Sequence, residues 1–440
     1  MPVRVEEAAK PTTRREHHPA LVFATILGTA ILIALAIGWR TNYLPPKWDT
    51  EYYVDMATHG LVGNRHLAAP FAYRPAVPLL IHALAGLLRI SPEVVFRACG
   101  WLFCIVFTVS SFYFARFSNA TFSAAWLASV LIALYYFTVK WTLFAGTMVD
   151  IYAYPLLLLA FAAMLRKRFY FCLLVCATGL FFKEFLLLPL LTQATVIVLE
   201  QREGNRKRLI KPLLLTGLVL LICFLLPRLL IHVGETFQDI DPLHNLKSLR
   251  LLIAYPINIK RDWNIVFYYL ACWLPVLLLL TRGRAEFIWK RLKSHRGLIS
   301  VYLTFHFLLV MYGGTNLDIF VTYTLPVELM VLSICLSEVG IQLWERVLTV
   351  AVVILFNRLW MYVPLPDQDI NGYLFFYGGY HTQVTGRALA RMGELLAFVL
   401  AFQWLRYAVG RSSGQFVSRE LAPLTRSQTV QSQSPDRHAD

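Results

Sequence analysis

Charge is scarce in this chain, and acid is the scarcer sign. Charged residues fill 15% of 440 positions against 58% hydrophobic, and 26 Asp or Glu stand against 41 Lys or Arg. Soluble globular domains carry roughly a quarter charged residues. That excludes an ordinary soluble enzyme, and a mean hydropathy of +0.57 points to a polytopic membrane protein. The seven cysteines (Cys99, Cys104, Cys172, Cys176, Cys223, Cys272 and Cys335) all lie inside apolar runs, without metal-ligand company. Cys172 and Cys176 stand one helical turn apart, a packing spacing, so no disulfide framework is expected. Also missing are a phosphate-cradling Gly-rich loop, an HExxH pair, a Ser-His-Asp arrangement, an internal repeat and a soluble domain. No small-residue cleavage signal follows the first apolar run, which therefore reads as an uncleaved anchor. The formal charge of +15 sits in short runs between apolar segments. Such runs set topology and contact anionic lipid, and no nucleic-acid partner is expected.

What is present is a succession of apolar segments. Residues 1–19 are a polar, basic tail expected in the cytoplasm, and Ala20–Trp39 is long enough to cross a bilayer at about 1.5 Å per residue. Residues 40–93 form the first outer loop, with an amphipathic interfacial helix from Asp49 to about Gly60. Pro75–Ile90 is apolar but only 16 residues long and contains Pro78 and His82, so it is expected not to cross. Crossings then follow at 94–114, 121–137, 151–165, 169–182, 185–199, 212–231, 263–280, 298–312, 320–336, 347–363 and 395–408. Segments 141–150 and 232–262 are outer loops, and 409–440 is a disordered cytoplasmic tail. The path is tested by charge. Inner connections 166–168, 202–211 and 282–296 carry three, five and six Lys or Arg, whereas 141–150 and 313–318 carry none. This is the positive-inside pattern. Counting 75–90 as a span would put every basic run outside. The expectation is an all-α polytopic protein of about twelve spans, built from a module at 20–210 and further helices at 211–408.

On this path the unusual polar residues fall on one side. Asp49, Glu51 and Asp55 sit in the first outer loop. Glu51 and Asp55, four apart on a helix, repel unless a cation lies between them; a solvated face with an N-cap is the plainer reading. Asp49 sits where a helix dipole favours the carboxylate. Arg74, between Tyr73 and Pro75, suits bidentate phosphate contact, or else snorkels to lipid. Lys183-Glu184 interrupts a long apolar run. Such a pair is costly in hydrocarbon unless it faces a cavity or a partner; it either neutralises itself or leaves Lys183 to an anionic ligand. Asp150 is a binding residue or a helix N-cap. His82, His306, Glu328 and Arg358 read as mostly structural, with Glu328, just after Pro326, the first exception among them.

At these residues the sequence resembles the GT-C superfamily of integral-membrane glycosyltransferases, whose members include the protein O-mannosyltransferases and the aminoarabinose transferase of lipid A. The family pattern Asp-x-x-x-Tyr-x-x-x-Ala matches Asp49, Tyr53 and Ala57. A basic-Pro pair before a short apolar helix matches Arg74-Pro75, an outer-loop acid matches Asp150, and a basic residue at the outer end of a span matches Lys183. The similarity covers roughly 20–210. The late-span Arg-Tyr or Arg-Phe before proline is absent; Tyr323-Thr324-Leu325-Pro326 stands there without an arginine.

The resemblance implies transfer of a hexosyl or pentosyl group from a polyprenyl-phosphate donor to a lipid, glycan or protein acceptor, outside the plasma membrane and with inversion. Asp49 would be the general base. Glu51, Tyr53, Arg74, Asp150, Lys183 and Glu184 would bind substrate, with Arg74 and Lys183 on the leaving phosphate. A divalent cation, Mg2+ or Mn2+, is the implied cofactor, and Glu51 either ligates it or orients Arg74. The rival readings are a carrier or flippase for a lipid-linked saccharide, which would show repeated halves, and a non-catalytic membrane scaffold, which would not gather acids on one side.

Overall fold

The computed structural model describes residues 18–47, 49–64, 66–200, 207–236, 259–312, 317–338, 341–365, 368–369, 372–373, 376 and 386–412. The expected N-terminal tail, most of the loop 232–262, the basic residues Arg202 and Arg206 and the tail beyond 412 lie outside them. The described chain is all-α. Its one extended pairing joins Ala68–Ala69 in parallel to Glu235–Thr236.

The first module runs α1 (Pro19–Trp39), α2 (Asp49–His59), α3 (Ala76–Leu88), α4 (Pro92–Phe117), α5 (Phe122–Ala133), α6 (Val139–Phe144), α7 (Asp150–Leu165), α8 (Phe169–Leu180) and α9 (Leu187–Glu200). Capping chemistry sets several starts: Ser91 and Thr121 accept from Val94 and Ala124 backbone N–H groups, satisfying donors that a helix start leaves open. Then come α10 (Lys207–Val219), a π-turn at Leu220–Leu225 and α11 (Leu226–Leu230). The rest is α12 (Ile259–Cys272), α13 (Leu274–Leu279), α14 (Arg282–Arg291), α15 (Arg296–Tyr312), α16 (Leu317–Thr322), α17 (Leu325–Glu338), α18 (Leu343–Phe356) and α19 (Gly386–Ser412).

Contacts sort the helix termini into two ends. At one, Arg97 of α4 stacks on Tyr43 at 4.2 Å, Leu44 N–H donates to the Phe144 carbonyl at 2.8 Å, and Asn42 exchanges hydrogen bonds with Val363 at 2.9 and 3.0 Å. Lys140 is fully buried there, its ammonium facing the carbonyls of Arg40, Arg358, Leu359 and Met361 at 3.4, 3.2, 3.1 and 2.5 Å. A lysine with a carbonyl cradle ties three chain segments and avoids an unpaired buried charge. At the opposite end Thr121 N–H donates to Ser337 at 3.1 Å, and Glu345 holds Arg284 at 3.0 Å and Arg406 at 2.6 Å. The basic runs 166–168 and 282–296 belong to this second end.

Both termini of α3 lie at the first end. Ala76 N–H donates to the Phe181 carbonyl at 3.1 Å, and the turn after Leu88 leads straight into Glu93, which bonds Tyr43. Thirteen residues span about 20 Å at 1.5 Å each, against a hydrocarbon core of about 30 Å. The segment 75–90 therefore leaves and returns at the same end.

One expectation is met in its coarser part, and another is corrected. Four described helices are long and apolar enough to cross a membrane, Pro19–Trp39, Pro92–Phe117, Leu209–Leu230 and Leu389–Val409. The expected twelve crossings are not twelve such helices. Ala76–Leu88, Phe122–Ala133, Asp150–Leu165, Phe169–Leu180 and Leu325–Ser337 are apolar but shorter. Breaks beside proline explain part of this, since proline lacks the N–H and clashes with the preceding turn: α12 and α13 divide just before Pro275, and α16 and α17 just before Pro326. The outer loop expected at 141–150 instead begins as the buried helix α6.

Candidate functional site

The first end of the bundle holds a buried polar cluster assembled from separate parts of the chain. Asp49 opens α2, half-buried, and the same helix face carries Tyr53 and Ala57, both fully buried. Arg74 follows the short turn Phe71–Tyr73. Asp150 is the first residue of α7, and Lys183 and Glu184 lie in the hairpin between α8 and α9. That hairpin closes tightly because Gly179 has no side chain: a Cβ there would approach Leu186 Cγ to 2.5 Å. The Gly179 carbonyl accepts from the N–H groups of both Phe182 and Lys183, at 2.9 Å each.

Two ion pairs organise the cluster. Arg74 and Glu184 form a fork: Nε donates to Oε2 at 2.6 Å, and the second guanidinium nitrogen donates to Oε1. The remaining arm donates to the Tyr53 hydroxyl at 2.6 Å. Lys183 pairs with Asp150 Oδ1 at 2.9 Å, and Tyr323 donates to the same oxygen at 3.0 Å. Asp150 Oδ2 is buried and has no hydrogen-bond partner among the described residues. A buried carboxylate oxygen left unpaired is costly and is open to a further donor. Aromatic rings wall the pairs: Phe71 lies 5.7 Å from the Arg74 guanidinium, and Phe185 lies 5.8 Å from the Lys183 ammonium and stacks on Tyr323 at 4.2 Å.

Burial alone would push the Glu184 carboxyl up, but Arg74, then Lys183 and Arg228, hold it down at about 2. Burial opposes the charge on Arg74, and Glu184 more than restores it. Burial likewise pushes the Tyr53 phenol far up, so it is neutral and accepts from Arg74. Arg74, Asp150, Asp49 and Glu184 all act on that phenol, which sets Asp49 within electrostatic reach of the cluster. Three cations therefore surround Glu184 and Asp150.

The structure brings Asp49, Tyr53, Arg74, Asp150, Lys183 and Glu184 together, though not in the expected pairs. Lys183 and Glu184 make their ion pairs with Asp150 and Arg74 rather than with each other. Lys183 is extended, at φ −159° and ψ 136°, while Glu184 begins a helical turn, so the neighbours diverge to different partners. Arg74 and Lys183 are each matched by a carboxylate. Asp150 is not the N-cap of α7; that position is Val149. Glu51 is solvent-exposed, and the carboxylate that orients Arg74 is Glu184. Asp55 binds His59 at 2.9 Å and Asn64 at 2.6 Å at the far end of α2. His306 bonds Tyr269 and the Phe320 carbonyl, and His82 the Ala57 carbonyl, as structural histidines do.

Three residues of the cluster went unread in the sequence. Tyr323 sits in the late segment that lacks the expected arginine. Arg228 belongs to the apolar run of α11; its guanidinium stacks on Phe224 at 3.7 Å and on Tyr73 at 4.8 Å. Asp318, in the first turn of α16, is close enough to Asp150 for the two carboxylates to repel.

Among the described residues no group of three His, Cys, Asp or Glu is placed to hold a metal ion, and Glu51 is exposed. No protein-family model matches the chain, and no curated protein matches its sequence.

Proposed function

We propose that the chain is a membrane glycosyltransferase that takes a sugar from a polyprenyl-phosphate donor at the first end of the bundle, facing away from the cytoplasm. The observation that carries this reading is the cluster itself. It places two buried cations, Arg74 and Lys183, and the half-buried Arg228 around two buried carboxylates, with the half-buried Asp49 beside them, at one end of an apolar helical protein. Buried ionisable groups are expensive in such a protein and mark a site that handles a polar partner.

In the proposed reaction the acceptor hydroxyl oxygen attacks the anomeric carbon. Its proton passes to the Asp49 carboxylate. The bond between the anomeric carbon and the phosphate oxygen breaks, its electron pair leaves on the lipid phosphate, and the configuration inverts. Charge grows on that phosphate as the bond breaks, so pre-placed cations stabilise the transition state more than the ground state. Arg74, Lys183 and Arg228 balance Glu184, Asp150 and the Asp49 base, and proton uptake by Asp49 leaves one positive charge over as the phosphate departs. Asp150 Oδ2 accepts a hydroxyl of the bound sugar. On this reading α5, α7, α8, α9, α12–α13, α15, α17 and α18 cross beside the four long helices, giving about twelve spans, and α2 and α3 rest in the interface over the site.

Mass spectrometry of lipid-linked sugars and surface glycans in a deletion strain tests the reading. The expected result is accumulation of one polyprenyl-phosphate sugar with loss of one surface modification, restored by the intact gene. Unchanged pools of both in the deletion strain would remove the proposal.

A further inference from the structure

A small cavity of about 20 Å3 lies at the first end of the bundle, next to the Lys140 cradle. It is bounded by the turn between α5 and α6, by α12, by the end of α18 and by α19. The volume holds one water-sized or halide-sized occupant and nothing larger.

Among the described wall residues the charged group is Arg391, 4% exposed. Its guanidinium lies over the Phe356 ring at 4.2 Å. One terminal nitrogen donates to Glu394 Oε2 at 2.6 Å, and the other donates to the Phe356 carbonyl at 2.7 Å. That leaves Nε–H, buried and without an acceptor. A charged donor left unpaired in the interior is costlier than a neutral one. Asn357 stands in the same wall. Its amide nitrogen donates to the Val353 carbonyl at 2.9 Å, and its oxygen accepts from Tyr136 N–H at 3.1 Å, so its second amide hydrogen is a further donor.

Charge favours an anion in this place. Glu394 Oε2 is divided between two guanidiniums, since Arg358 donates to the same oxygen at 2.9 Å. Lys140, fully buried, faces carbonyls, which solvate its ammonium without cancelling its charge. The Phe376 ring of the cavity wall lies 5.3 Å from that ammonium. Wall rings pack edge to face, Tyr136 on Phe376 at 67° and Phe137 on Tyr268 at 88°, and ring edges carry the positive end of the quadrupole. A water needs about two to four polar partners and would bring its own hydrogens to a wall whose open nitrogen atoms are donors.

We propose that this cavity binds a single halide ion, chloride under ordinary conditions. Arg391 Nε–H is its charge-assisted donor, the second Asn357 amide hydrogen adds another, and the Lys140 charge attracts it from behind the Phe376 ring. The bound ion ties the α5–α6 turn, α12, α18 and α19 together at the end that carries the Asp49 cluster. The site shares no residue with that cluster, and its test does not depend on sugar transfer.

The full-length protein, purified in a neutral detergent, is melted in sodium chloride, sodium bromide or sodium gluconate at matched ionic strength. The expected result is a higher melting temperature in either halide than in gluconate, whose anion is too large for the cavity. The difference should grow with halide concentration, as it does for a ligand of the folded state. Arg391→Lys keeps the charge and removes the Nε–H donor, so the halide concentration for half the rise should increase by about tenfold or more. Ala271→Val fills the cavity from α12 without touching a charge and should abolish the rise even if Arg391→Lys folds poorly. Arg282→Ala, an exposed charge at the opposite end, should leave the response intact. Anomalous scattering from crystals grown in bromide should show a peak beside Arg391 Nε. Equal melting in the three salts, an undiminished halide response in Ala271→Val, or a water in place of bromide beside Arg391 overturns the proposal.

Discussion

Arg74 and Glu184 stand 110 positions apart in sequence and meet as a buried fork, with Arg74 Nε donating to Glu184 Oε2 at 2.6 Å. The pair locks the segment between α2 and α3 to the α8–α9 hairpin. Removing one partner strands the other charge, which costs about 3–5 kcal/mol, whereas replacing both with apolar residues is often near neutral. Glu184→Gln and Arg74→Met should each lower the melting temperature and abolish sugar transfer. The double variant Arg74→Met/Glu184→Met should recover most of the stability and none of the transfer. Thermal melts in detergent beside a transfer assay decide this; a double variant that regains activity would reduce the pair to a structural clamp.

The same pair fixes an acid limit. The Glu184 carboxyl is held at about 2 in the folded protein, below the ordinary value of 4.5. Its stabilising effect is therefore complete above 4.5 and is lost as pH falls from there through about 2. Asp318 behaves oppositely. Burial, then repulsion from Asp150, lifts it from 3.8 to about 7 against the pull of backbone N–H groups. A carboxyl raised in the folded state binds its proton more tightly there, so stability should rise as pH falls from above 7 toward 3.8. Melting between pH 6 and 8.5 should show that slope, and Asp318→Asn should flatten it. An unchanged slope in the variant assigns the titration elsewhere.

Much of the site was legible because its parts obey local rules. Asp49 and Thr50 precede a helical pattern, and Asp49, Tyr53 and Ala57 recur at intervals of four, so their shared face follows from helical geometry. Arg74, Asp150, Lys183 and Glu184 stood out as polar residues among apolar ones. The pairing was not legible. Nothing local tells Arg74 to choose Glu184 over Glu51, and adjacent residues 183 and 184 diverge only because one is extended and the next helical. Tyr323 and Arg228 were hidden for a related reason. A tyrosine hydroxyl or an arginine within an apolar run acquires a role only when another segment folds against it.

Sidedness has its own test. In a background where the half-buried Cys99 and Cys223 are replaced by serine, Ser294→Cys should resist an impermeant maleimide applied from outside intact cells. Val62→Cys, 98% exposed in the first outer loop, should label readily. The expectation follows from the basic runs 166–168 and 282–296 gathered at the end opposite Asp49. Strong outside labelling at position 294 would invert the molecule and move the proposed reaction to the cytoplasm.

The assignment of the base turns on two aspartates six residues apart on one helix. Asp49 opens α2, where the first N–H groups and the helix dipole keep a carboxylate ionised. It faces the side that buries Tyr53 and Ala57, within electrostatic reach of the Tyr53 hydroxyl that Arg74 binds. Asp55 lies off that face, and both its oxygens are occupied, Oδ1 by His59 at 2.9 Å and Oδ2 by Asn64 at 2.6 Å. A carboxylate committed to the C-terminal turn of its own helix is badly placed to take a proton from an acceptor. General-base catalysis is worth about 10²–10⁴ in rate. Asp49→Asn preserves shape and removes the base, so turnover should fall by that factor while melting temperature and donor binding stay near their original values. Asp55→Asn should cost little turnover and lower the melting temperature slightly, through the lost hydrogen bonds to His59 and Asn64. Equal loss of turnover in the two variants, or full transfer by Asp49→Asn, would show that the proton leaves by another route.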